Sequence, residues 1–165
     1  MNAQKIADEI RKRLRGVSEL YNRLLLVVGT AGSGKTTALR AFSSEEGCSI
    51  INIGTDLGRR LLDLTERQRV IEVPSLLEQI VAESNADTVI LDNTEILFHP
   101  GLQQDPLRLL KGLSRNRTVI ASWLGSVDSQ YLVYATPEHR EFRRYPLDDL
   151  LVVSLSGVDT DSVNR

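Results

Sequence analysis

The chain has 165 residues, of which 41% are hydrophobic and 25% charged, and its formal net charge is −2. These values predict a single globular domain with its own core, and they exclude a disordered or fibrous chain. The small negative charge excludes a bulk attraction to nucleic acid or to an anionic membrane, although it is compatible with a local basic surface. Because Cys48 is the single cysteine, an internal disulfide is impossible and a Cys/His metal cluster is not expected.

The N-terminal segment, residues 1–20, is predicted to form an amphipathic helix. Ile6, Ile10 and Leu14 recur at helical spacing, and most of the basic residues between them fall on other faces. We interpret the segment as a solvated helix packed on the core, in preference to a face that contacts a partner or nucleic acid. It contains no apolar signal-peptide core, and no apolar run of the chain reaches membrane-spanning length. We therefore expect a cytoplasmic protein with no membrane partner.

Five apolar runs are predicted as strands, and most of them are continuous rather than alternating. That pattern is typical of strands buried on both faces, as in a parallel sheet covered by helices. Helical segments separate the runs, so the sequence predicts a three-layer α/β fold with a five-stranded, mostly parallel sheet. The predicted strands are Leu24–Val28, Ser49–Ile53, Thr88–Leu91, Thr118–Ser122 and Leu150–Val153.

Capping residues, a glycine stop and prolines mark the helices between these strands. A proline fits the first turn of a helix because its missing N–H has no intrahelical acceptor there, so Pro74 is predicted to open a helix of its own. The other signals are a helix Lys35–Ser44 stopped by Gly47, a capping box at Thr65 and Gln68, and a helix Leu107–Leu113 preceded by Asp105 and Pro106.

Residues 124–147 interrupt the alternation of strands and helices as a long insertion. We predict a short strand at Tyr131–Ala135 within it, followed by a basic and aromatic tip. Long connections in compact domains are often functional. Residues 21–155 are expected to form the core, with residues 156–165 as a polar tail and no second domain.

The run GTAGSGKT, from Gly29 to Thr36, matches the phosphate-binding pattern G-x-x-x-x-G-K-[ST] between a predicted strand and a predicted helix. Glycines let the backbone point successive N–H groups at an anion, and the helix N-terminus adds its positive end. Lys35 is expected at the β- and γ-phosphates and the Thr36 hydroxyl at Mg²⁺. The pattern predicts a site for ATP and Mg²⁺ formed by Gly29, Thr30, Ala31, Gly32, Ser33, Gly34, Lys35, Thr36 and Thr37.

The run TVILDNTEILF supplies a second half of the predicted site. Asp92 follows a short apolar strand, which is where P-loop proteins keep the aspartate that holds Mg²⁺. Hydrolytic members often place a glutamate directly after that aspartate, but this chain has Asn93 there and its nearest carboxylate is Glu95. Glu95 is interpreted either as the catalytic base or as a carboxylate that favours a helix start. The sequence therefore predicts nucleotide binding more firmly than hydrolysis.

Three further polar residues are candidates for contact with the γ-phosphate. Ser122 is predicted at the end of the fourth strand, where it serves either as a γ-phosphate sensor or simply as a small residue at a strand end. Arg143 and Arg144 precede the last strand, and we favour one of them as an arginine presented to the nucleotide of a neighbouring subunit. Taken alone, each arginine is also explained as a solvated surface residue.

The blocks GTAGSGKTTALR, DNTEILFHPGLQQDPLRLLKGLSRNRTVIASWLG and EFRRYPLDDLLVV resemble the BrxF family of small P-loop proteins from type 3 BREX phage-defence systems. The resemblance runs from about residue 21 to residue 153, and the middle block is its most specific part. It implies a nucleotide-binding component that works beside a methyltransferase, a phosphatase-like protein, a helicase and a larger ATPase. The residues that match the family are Gly29, Gly34, Lys35, Thr36, Asp92 and Asn93.

The leading hypothesis is an oligomeric ATPase, or ATP-operated switch, that acts on DNA or with DNA-acting partners of a defence system. Its predicted architecture is an AAA+/RecA-like core without a lid domain. The second hypothesis is a nucleotide-dependent scaffold that barely hydrolyses ATP, and the third is a small-molecule phosphotransferase. The absence of an N-K-x-D motif disfavours a GTPase. Direct DNA contact, through the N-terminal helix or the Arg140–Arg144 tip, would be weak and salt-sensitive. A phosphoacceptor site would use Arg59, Arg60, Arg67 and Arg69.

Overall fold

The structure is a computed structural model, and it describes residues 2–134 and 143–155. Five α-helices, three 3₁₀ turns and seven strands make up this part of the chain. The helices are α1 (Ala3–Arg13), α2 (Lys35–Glu46), α3 (Ile53–Leu61), α4 (Glu66–Ala82) and α5 (Pro106–Leu113). The strands are β1 (Leu24–Gly29), β2 (Ile50–Asn52), β3 (Thr88–Asp92), β4 (Thr118–Asp128), β5 (Tyr131–Tyr134), β6 (Arg143–Pro146) and β7 (Leu151–Ser154). The 3₁₀ turns cover Val17–Glu19, Thr94–Phe98 and Pro100–Leu102.

The sheet is mostly parallel, with the strand order β2-β3-β4-β1-β7. These are the five strands that the apolar runs predicted, but the prediction of five strands for the whole sheet was wrong. The structure has seven, because β4 continues beyond Ser122 to Asp128 and then pairs antiparallel with β5, which pairs with β6. β5 is the short strand predicted within the insertion, whereas β6 is mostly exposed and has no continuous hydrophobic run that would reveal it.

Helices cover both faces of the sheet, as the continuous apolar strands predicted. Alternate residues of β1 enter two different clusters of buried side chains. Leu24, Leu26 and Val28 pack with residues of α3, α4 and α5. Leu25 and Val27 pack with residues of α1 and α2. The result is a three-layer α/β architecture in which the carboxyl ends of the parallel strands meet at one edge.

The first helix is shorter than predicted, because α1 ends at Arg13 and not near residue 20. Gly16 has a φ of 81°, a left-handed conformation that does not continue an α-helix. The apolar side of α1 is buried in the same cluster as α2, with Ile6 and Ile10 almost fully enclosed. Arg11 forms ion pairs with Glu45 and Glu46 of α2. Thus α1 packs on the core through one side and is solvated on the other.

The second predicted strand is also shorter than expected, because Ile53 begins α3 instead of ending β2. The Asn52 side chain accepts a hydrogen bond from the Thr55 N–H, which caps α3 at its N-terminus. Hydrophobicity alone cannot show where a strand ends and a helix begins when both lie within one apolar run. The cap places the start of α3 at the carboxyl end of β2, directly beside Asp92 in the register of the sheet.

Pro74 does not open a helix, which corrects the prediction: it lies inside α4. Thr65 and Gln68 form the predicted capping box eight residues earlier, so the helix starts there. A proline inside a helix removes the N–H that would bond the carbonyl four residues before it, here that of Val70. The Gln104 side chain replaces that donor, since its amide nitrogen lies 2.8 Å from the Val70 oxygen. A long-range hydrogen bond therefore permits a proline that the local sequence argues against.

We expect Gln104→Leu to destabilise the protein by about 1–3 kcal/mol, because it leaves the Val70 carbonyl without a donor. The free energy of unfolding from denaturant titration measures this loss. Pro74→Ala restores an N–H to the helix, so Gln104→Leu should cost less in that background. The rescue is partial, because Gln104 also bonds the Leu102 carbonyl. An equal loss in both backgrounds would show that the Val70 bond contributes nothing to stability.

The insertion packs against the sheet through an aromatic cluster. Trp123 of β4 is fully buried, and its ring meets Phe98 and Tyr145 edge-on at centroid distances of 4.9 and 5.7 Å. Its indole N–H donates to the Val133 carbonyl of β5 at 3.2 Å. The strand predicted at Tyr131–Ala135 is present as β5, and Arg143 and Arg144 lie in β6, which the sequence did not predict. Arg140 and the rest of the predicted tip fall outside the described residues.

Candidate functional site

The glycine-rich run connects β1 to α2; backbone conformation favours glycine at two of its positions, and lack of space for a side chain favours it at a third. Gly32 and Gly34 have φ values of 74° and 99°, which only glycine adopts without strain. A Cβ on Gly29 would collide with the Ser33 side chain. The loop therefore folds tightly at the carboxyl end of β1, which is the edge of a parallel α/β sheet where ligands bind.

Among the five α-helices of the described chain, only α2 begins without a side-chain cap. Its N-cap residue is Gly34, which has no side-chain oxygen to accept a hydrogen bond from the first N–H groups of the helix. The first N–H groups of a helix have no intrahelical acceptor and carry the positive end of the helix dipole. In this protein those donors open directly onto the glycine-rich loop, so an anion placed there would satisfy them.

Lys35 folds back over the loop that precedes it. Its ammonium donates to the Gly29 carbonyl at 2.8 Å and to the Thr30 carbonyl at 2.9 Å. Only 9% of the residue is exposed. Burial lowers the pKa of Lys35, and the negative charges of Glu95 and then Asp92 oppose that shift. A buried cation held between carbonyls and two carboxylates is suited to receive a phosphate.

Thr36 and Asp92 are in direct contact, although 56 positions separate them in the chain. The Thr36 hydroxyl donates to one carboxylate oxygen of Asp92 at 2.7 Å, and the Asn93 N–H donates to the other at 2.9 Å. Asp92 is 5% exposed. The two residues predicted to share a metal ion thus lie together at the carboxyl ends of β1 and β3.

The turn after β3 carries Glu95, the next carboxylate after Asp92. The negative charges of Glu95 and Asp92 both act to raise the pKa of Lys35, against the effect of burial. Asn93 itself is exposed and has a left-handed φ of 55°, a conformation that asparagine tolerates better than most residues. Glu95 therefore belongs to the same group of interacting charges as Lys35 and Asp92.

Thr94 fixes the start of this turn, and sequence reasoning did not single it out. It is fully buried, and its hydroxyl donates to the Ser122 carbonyl of β4 at 2.6 Å. The bond ties the turn that carries Glu95 to the strand between β1 and β3. The sequence alone could not identify Thr94, because it stands between two polar residues. Its burial results from its contact with the neighbouring strand β4.

Ser122 lies within β4 and not at its end, which corrects the prediction. Ala121 pairs with Leu91, so Ser122 stands level with Asp92 on the neighbouring strand. Its hydroxyl is buried and has no hydrogen-bond partner in the described chain, and the same is true of the Ser33 hydroxyl in the loop. Buried hydroxyls normally find partners, so these two are exceptions near the loop, as is the Ser154 hydroxyl of β7.

The two candidate arginines have partners away from the loop. The Arg143 guanidinium donates to the Gln104 carbonyl at 3.1 Å, and the Arg144 guanidinium lies 3.7 Å from the centre of the Tyr131 ring. Both side chains are exposed. Within the described residues neither one bonds the loop, Lys35 or Asp92, so a role at the γ-phosphate of this same chain has no geometric support.

The four arginines suggested for a phosphoacceptor site do not converge: two of them contact other parts of the protein and two are exposed. Arg60 pairs with Glu83 at 2.6 Å, and Arg69 donates to the Leu61 and Leu64 carbonyls that end α3. Arg59 and Arg67 are exposed on α3 and α4. No converging anion site results from these four side chains.

The donor set at Asp92 suits Mg²⁺. No group of three or more His, Cys, Asp or Glu side chains in residues 2–134 and 143–155 is arranged to hold a metal ion. Mg²⁺ commonly binds through one or two protein oxygens together with substrate phosphates and water. Thr36 and Asp92 supply two such oxygens 2.7 Å apart, at the mouth of the glycine-rich loop. The residues therefore fit a magnesium ion that arrives with a phosphorylated ligand.

The loop between β1 and α2, its lysine and the aspartate that ends β3 lie at one edge of a mostly parallel sheet. This arrangement is consistent with a P-loop NTPase-like fold. No protein-family model matches the chain, and no curated protein matches it. Among solved structures, that of PCH-2 from C. elegans aligns with 93% of the chain at 13% sequence identity and a TM-score of 0.46. The chain spans 42% of the length of that structure. Within the described residues, no helix is both long and apolar enough to cross a membrane.

Proposed function

We propose that this protein binds ATP with Mg²⁺ at the loop from Gly29 to Thr37 and hydrolyses it. One observation carries the proposal: the buried Lys35 ammonium, the uncapped N-terminus of α2 and the Thr36–Asp92 pair meet at one edge of the sheet. Each of these features has an unmet or exchangeable interaction that a triphosphate with its metal would satisfy.

The residues divide the work as follows. Backbone N–H groups of the loop and of α2 hold the phosphates, and Lys35 exchanges its two carbonyl partners for phosphate oxygens. Thr36 and Asp92 hold Mg²⁺, which neutralises charge that develops on the phosphates when it is bound. Ser122 and Ser33 donate their unpartnered hydroxyls to the nucleotide. Glu95 accepts a proton from the attacking water, with Asn93 exposed beside it to help orient that water.

A second candidate function is a nucleotide-dependent scaffold with little turnover. The position directly after Asp92 carries Asn93, which cannot accept a proton, and this observation favours the scaffold. Glu95 sits two residues further along, in a 3₁₀ turn held by Thr94. The strength of hydrolysis therefore depends on whether this turn brings the Glu95 carboxylate to the water.

The metal role is tested by Asp92→Ala. We expect the variant to retain ATP binding through the loop but to lose most of the gain in affinity that Mg²⁺ gives the wild type. Calorimetric titration with ATP, in Mg²⁺ and in EDTA, measures both quantities. Asp87→Ala, which removes an exposed carboxylate before β3, is the control. Equal ATP affinity of the wild type in Mg²⁺ and EDTA would contradict the role given to Thr36 and Asp92.

Hydrolysis is tested by phosphate release from the wild type and from Glu95→Gln, with particle size followed by light scattering on the same samples. A general base contributes roughly 10²–10⁴-fold, so Glu95→Gln should lower turnover by that order and leave ATP affinity nearly unchanged. Assembly should increase with ATP and Mg²⁺. A wild type that stays monomeric and releases no phosphate under any condition would exclude the hydrolase and leave the scaffold.

We also propose a setting for this activity. The sheet has one strand between the loop strand and the strand ending in Asp92, which supports an AAA+/RecA-like core. That this core works as an oligomer is part of the proposal. The sequence resemblance to the BrxF family suggests a phage-defence system of the BREX type, with DNA-modifying proteins as partners. This setting rests on the resemblance alone, and loss of phage protection on deleting the gene from such a system is its test.

A further inference from the structure

A second surface of the protein gathers cations on and beside α5. It consists of Arg23, Arg108, Lys111 and Arg115 together with the exposed ring of Tyr21, and we call it the α5 surface. Arg23 precedes β1 and Arg115 follows α5, so this end of the surface lies at the amino edge of the sheet. The loop is at the opposite edge, about 20 Å away along β1.

Hydrogen bonds hold these residues together as one surface. The Arg23 N–H donates to the Ser114 carbonyl at 2.9 Å, and the Asn22 side chain donates to the Lys111 carbonyl at 2.9 Å. The Arg115 guanidinium lies 5.7 Å from the centre of the Tyr21 ring. The segment before β1 is thus fixed against the C-terminal end of α5.

Arg108 and Lys111 lie three residues apart on α5, so they share one side of that helix. Arg115 lies in the turn that follows α5, two residues beyond its end at Leu113. Arg108 and Arg115 also line a groove of about 630 Å³ between α4 and α5. Gly112 lies between them, exposed, with no atom of another residue within 4 Å of where a Cβ would stand. A chain lying in the groove can therefore approach α5 closely.

The four cations of this surface are not held in ion pairs within the described part of the chain. Arg11 and Arg13 of α1, by contrast, are paired with carboxylates, as are Arg60 and Arg117. Glu78 and Asp105 line the same groove as Arg108 and Arg115, where Glu78 pairs with Arg117 and Asp105 accepts from the Tyr145 hydroxyl. Asp148 lines a neighbouring depression with Arg108 and Lys111. The helix dipole explains one cation in the last turn of α5, but not Arg23 or Arg108.

We propose that the α5 surface binds single-stranded nucleic acid. Phosphates would contact the guanidinium groups of Arg108 and Arg115 in the groove and the Lys111 ammonium in the neighbouring depression, and a base would stack on Tyr21, which is 76% exposed. The ring selects this ligand over an acidic peptide, because every base has a face to stack whereas an acidic side chain has none. The surface does not depend on the nucleotide site, so it can be tested whether or not ATP binds.

Fluorescence anisotropy of a labelled oligothymidylate of about 20 nucleotides tests the proposal on the full-length protein, at about 50 and 200 mM salt. We expect weak binding that is clearly tighter at low salt. Lys111→Glu/Arg115→Glu should weaken it at least about tenfold, since two phosphate contacts become repulsive. Tyr21→Ala should weaken binding of the single strand by about fivefold or more, and that of a duplex very little. Arg59→Glu, at an exposed and unpaired arginine of α3, should behave as the wild type.

Three outcomes would overturn the proposal. The first is no binding at low salt by a wild type that is folded by circular dichroism. The second is equal binding by the wild type and Lys111→Glu/Arg115→Glu, which would put the nucleic acid elsewhere. The third is competition by polyglutamate as strong as that by unlabelled oligothymidylate, with no effect of Tyr21→Ala, which would make the surface a docking site for acidic protein. Unfolding midpoints of all variants show whether a loss of binding reflects a loss of fold.

Discussion

Replacing Lys35 by alanine should abolish tight ATP binding, with a loss of affinity of about 100-fold or more. Hydrogen bonds to charged groups each contribute roughly 1.5–3 kcal/mol, and the Lys35 ammonium is placed to make two with the triphosphate. The two bonds that it now makes to the Gly29 and Thr30 carbonyls, at 2.8 and 2.9 Å, hold it at the mouth of the loop. Calorimetric titration of the wild type and the variant with ATP and Mg²⁺ measures the effect.

The fold should survive this change. Burial lowers the pKa of Lys35, which means that the charged side chain costs folding free energy, and removing that cost offsets part of the stability lost with its two hydrogen bonds to the Gly29 and Thr30 carbonyls. Lys12→Ala, at an exposed lysine of α1, is the matched control and should bind ATP as the wild type does. Unchanged ATP affinity in Lys35→Ala would show that the nucleotide binds somewhere else.

Lys35 should also make the affinity for ATP depend on pH. Binding of a phosphate favours its protonated form, whereas burial in the free protein favours the neutral form. ATP affinity should therefore fall as the pH rises through the lowered pKa of the free protein, and binding at a pH between the pKa values of the free and the bound protein should be accompanied by proton uptake. Titrations in buffers of different ionisation enthalpy measure that uptake.

Replacing one of the two arginines of β6 by alanine should lower ATP turnover by about 10³-fold while ATP affinity changes little. Arg143 and Arg144 are exposed and are held away from the loop of their own chain. A cation that reaches the γ-phosphate of a neighbouring subunit stabilises the transition state more than the bound substrate. Turnover and calorimetry on the same variants separate the two effects.

Neighbouring residues of a strand point to opposite sides, so we expect one arginine to matter and the other not. Arg143 is directed to Gln104 at the start of α5, and Arg144 to the ring of Tyr131. The ineffective arginine is thus an internal control for the loss of a surface charge on the same strand. Equal large losses in both variants would indicate damage to β6, which Tyr145 anchors through its bond to Asp105.

An arginine acting between subunits has two further consequences. Specific activity should rise with protein concentration as the interface forms. A mixture of Lys35→Ala with the inactive arginine variant should regain activity, because some interfaces then join an intact loop to an intact arginine. If activity is independent of concentration and mixing restores nothing, β6 contacts a partner or DNA instead, and the scaffold hypothesis gains support.

Several parts of the structure follow from local sequence. Buried parallel strands such as Leu24–Gly29 can be predicted from the sequence because both of their faces are apolar. The loop from Gly29 to Thr36 can be predicted because few residues besides glycine adopt its backbone angles. Helix caps such as Thr65 and Asp105 act within one turn, so they too are readable from neighbouring residues. Local chemistry therefore determined the three-layer fold and the residues of the loop.

The tertiary structure decided the features that depend on partners far along the chain. Pro74 could remain inside α4 only because Gln104 bonds the Val70 carbonyl, a contact across 34 positions. The strand β6 forms because β4 extends far enough to pair with β5, and β5 then pairs with β6. Since β6 is exposed, its sequence has no continuous apolar run from which a strand could be predicted. The contacts of Thr36 with Asp92, and of Thr94 with Ser122, likewise follow from which strands are neighbours. A sequence states which groups are available, but which of them meet is set by the order of the strands, and the chemistry of this site depends on that order.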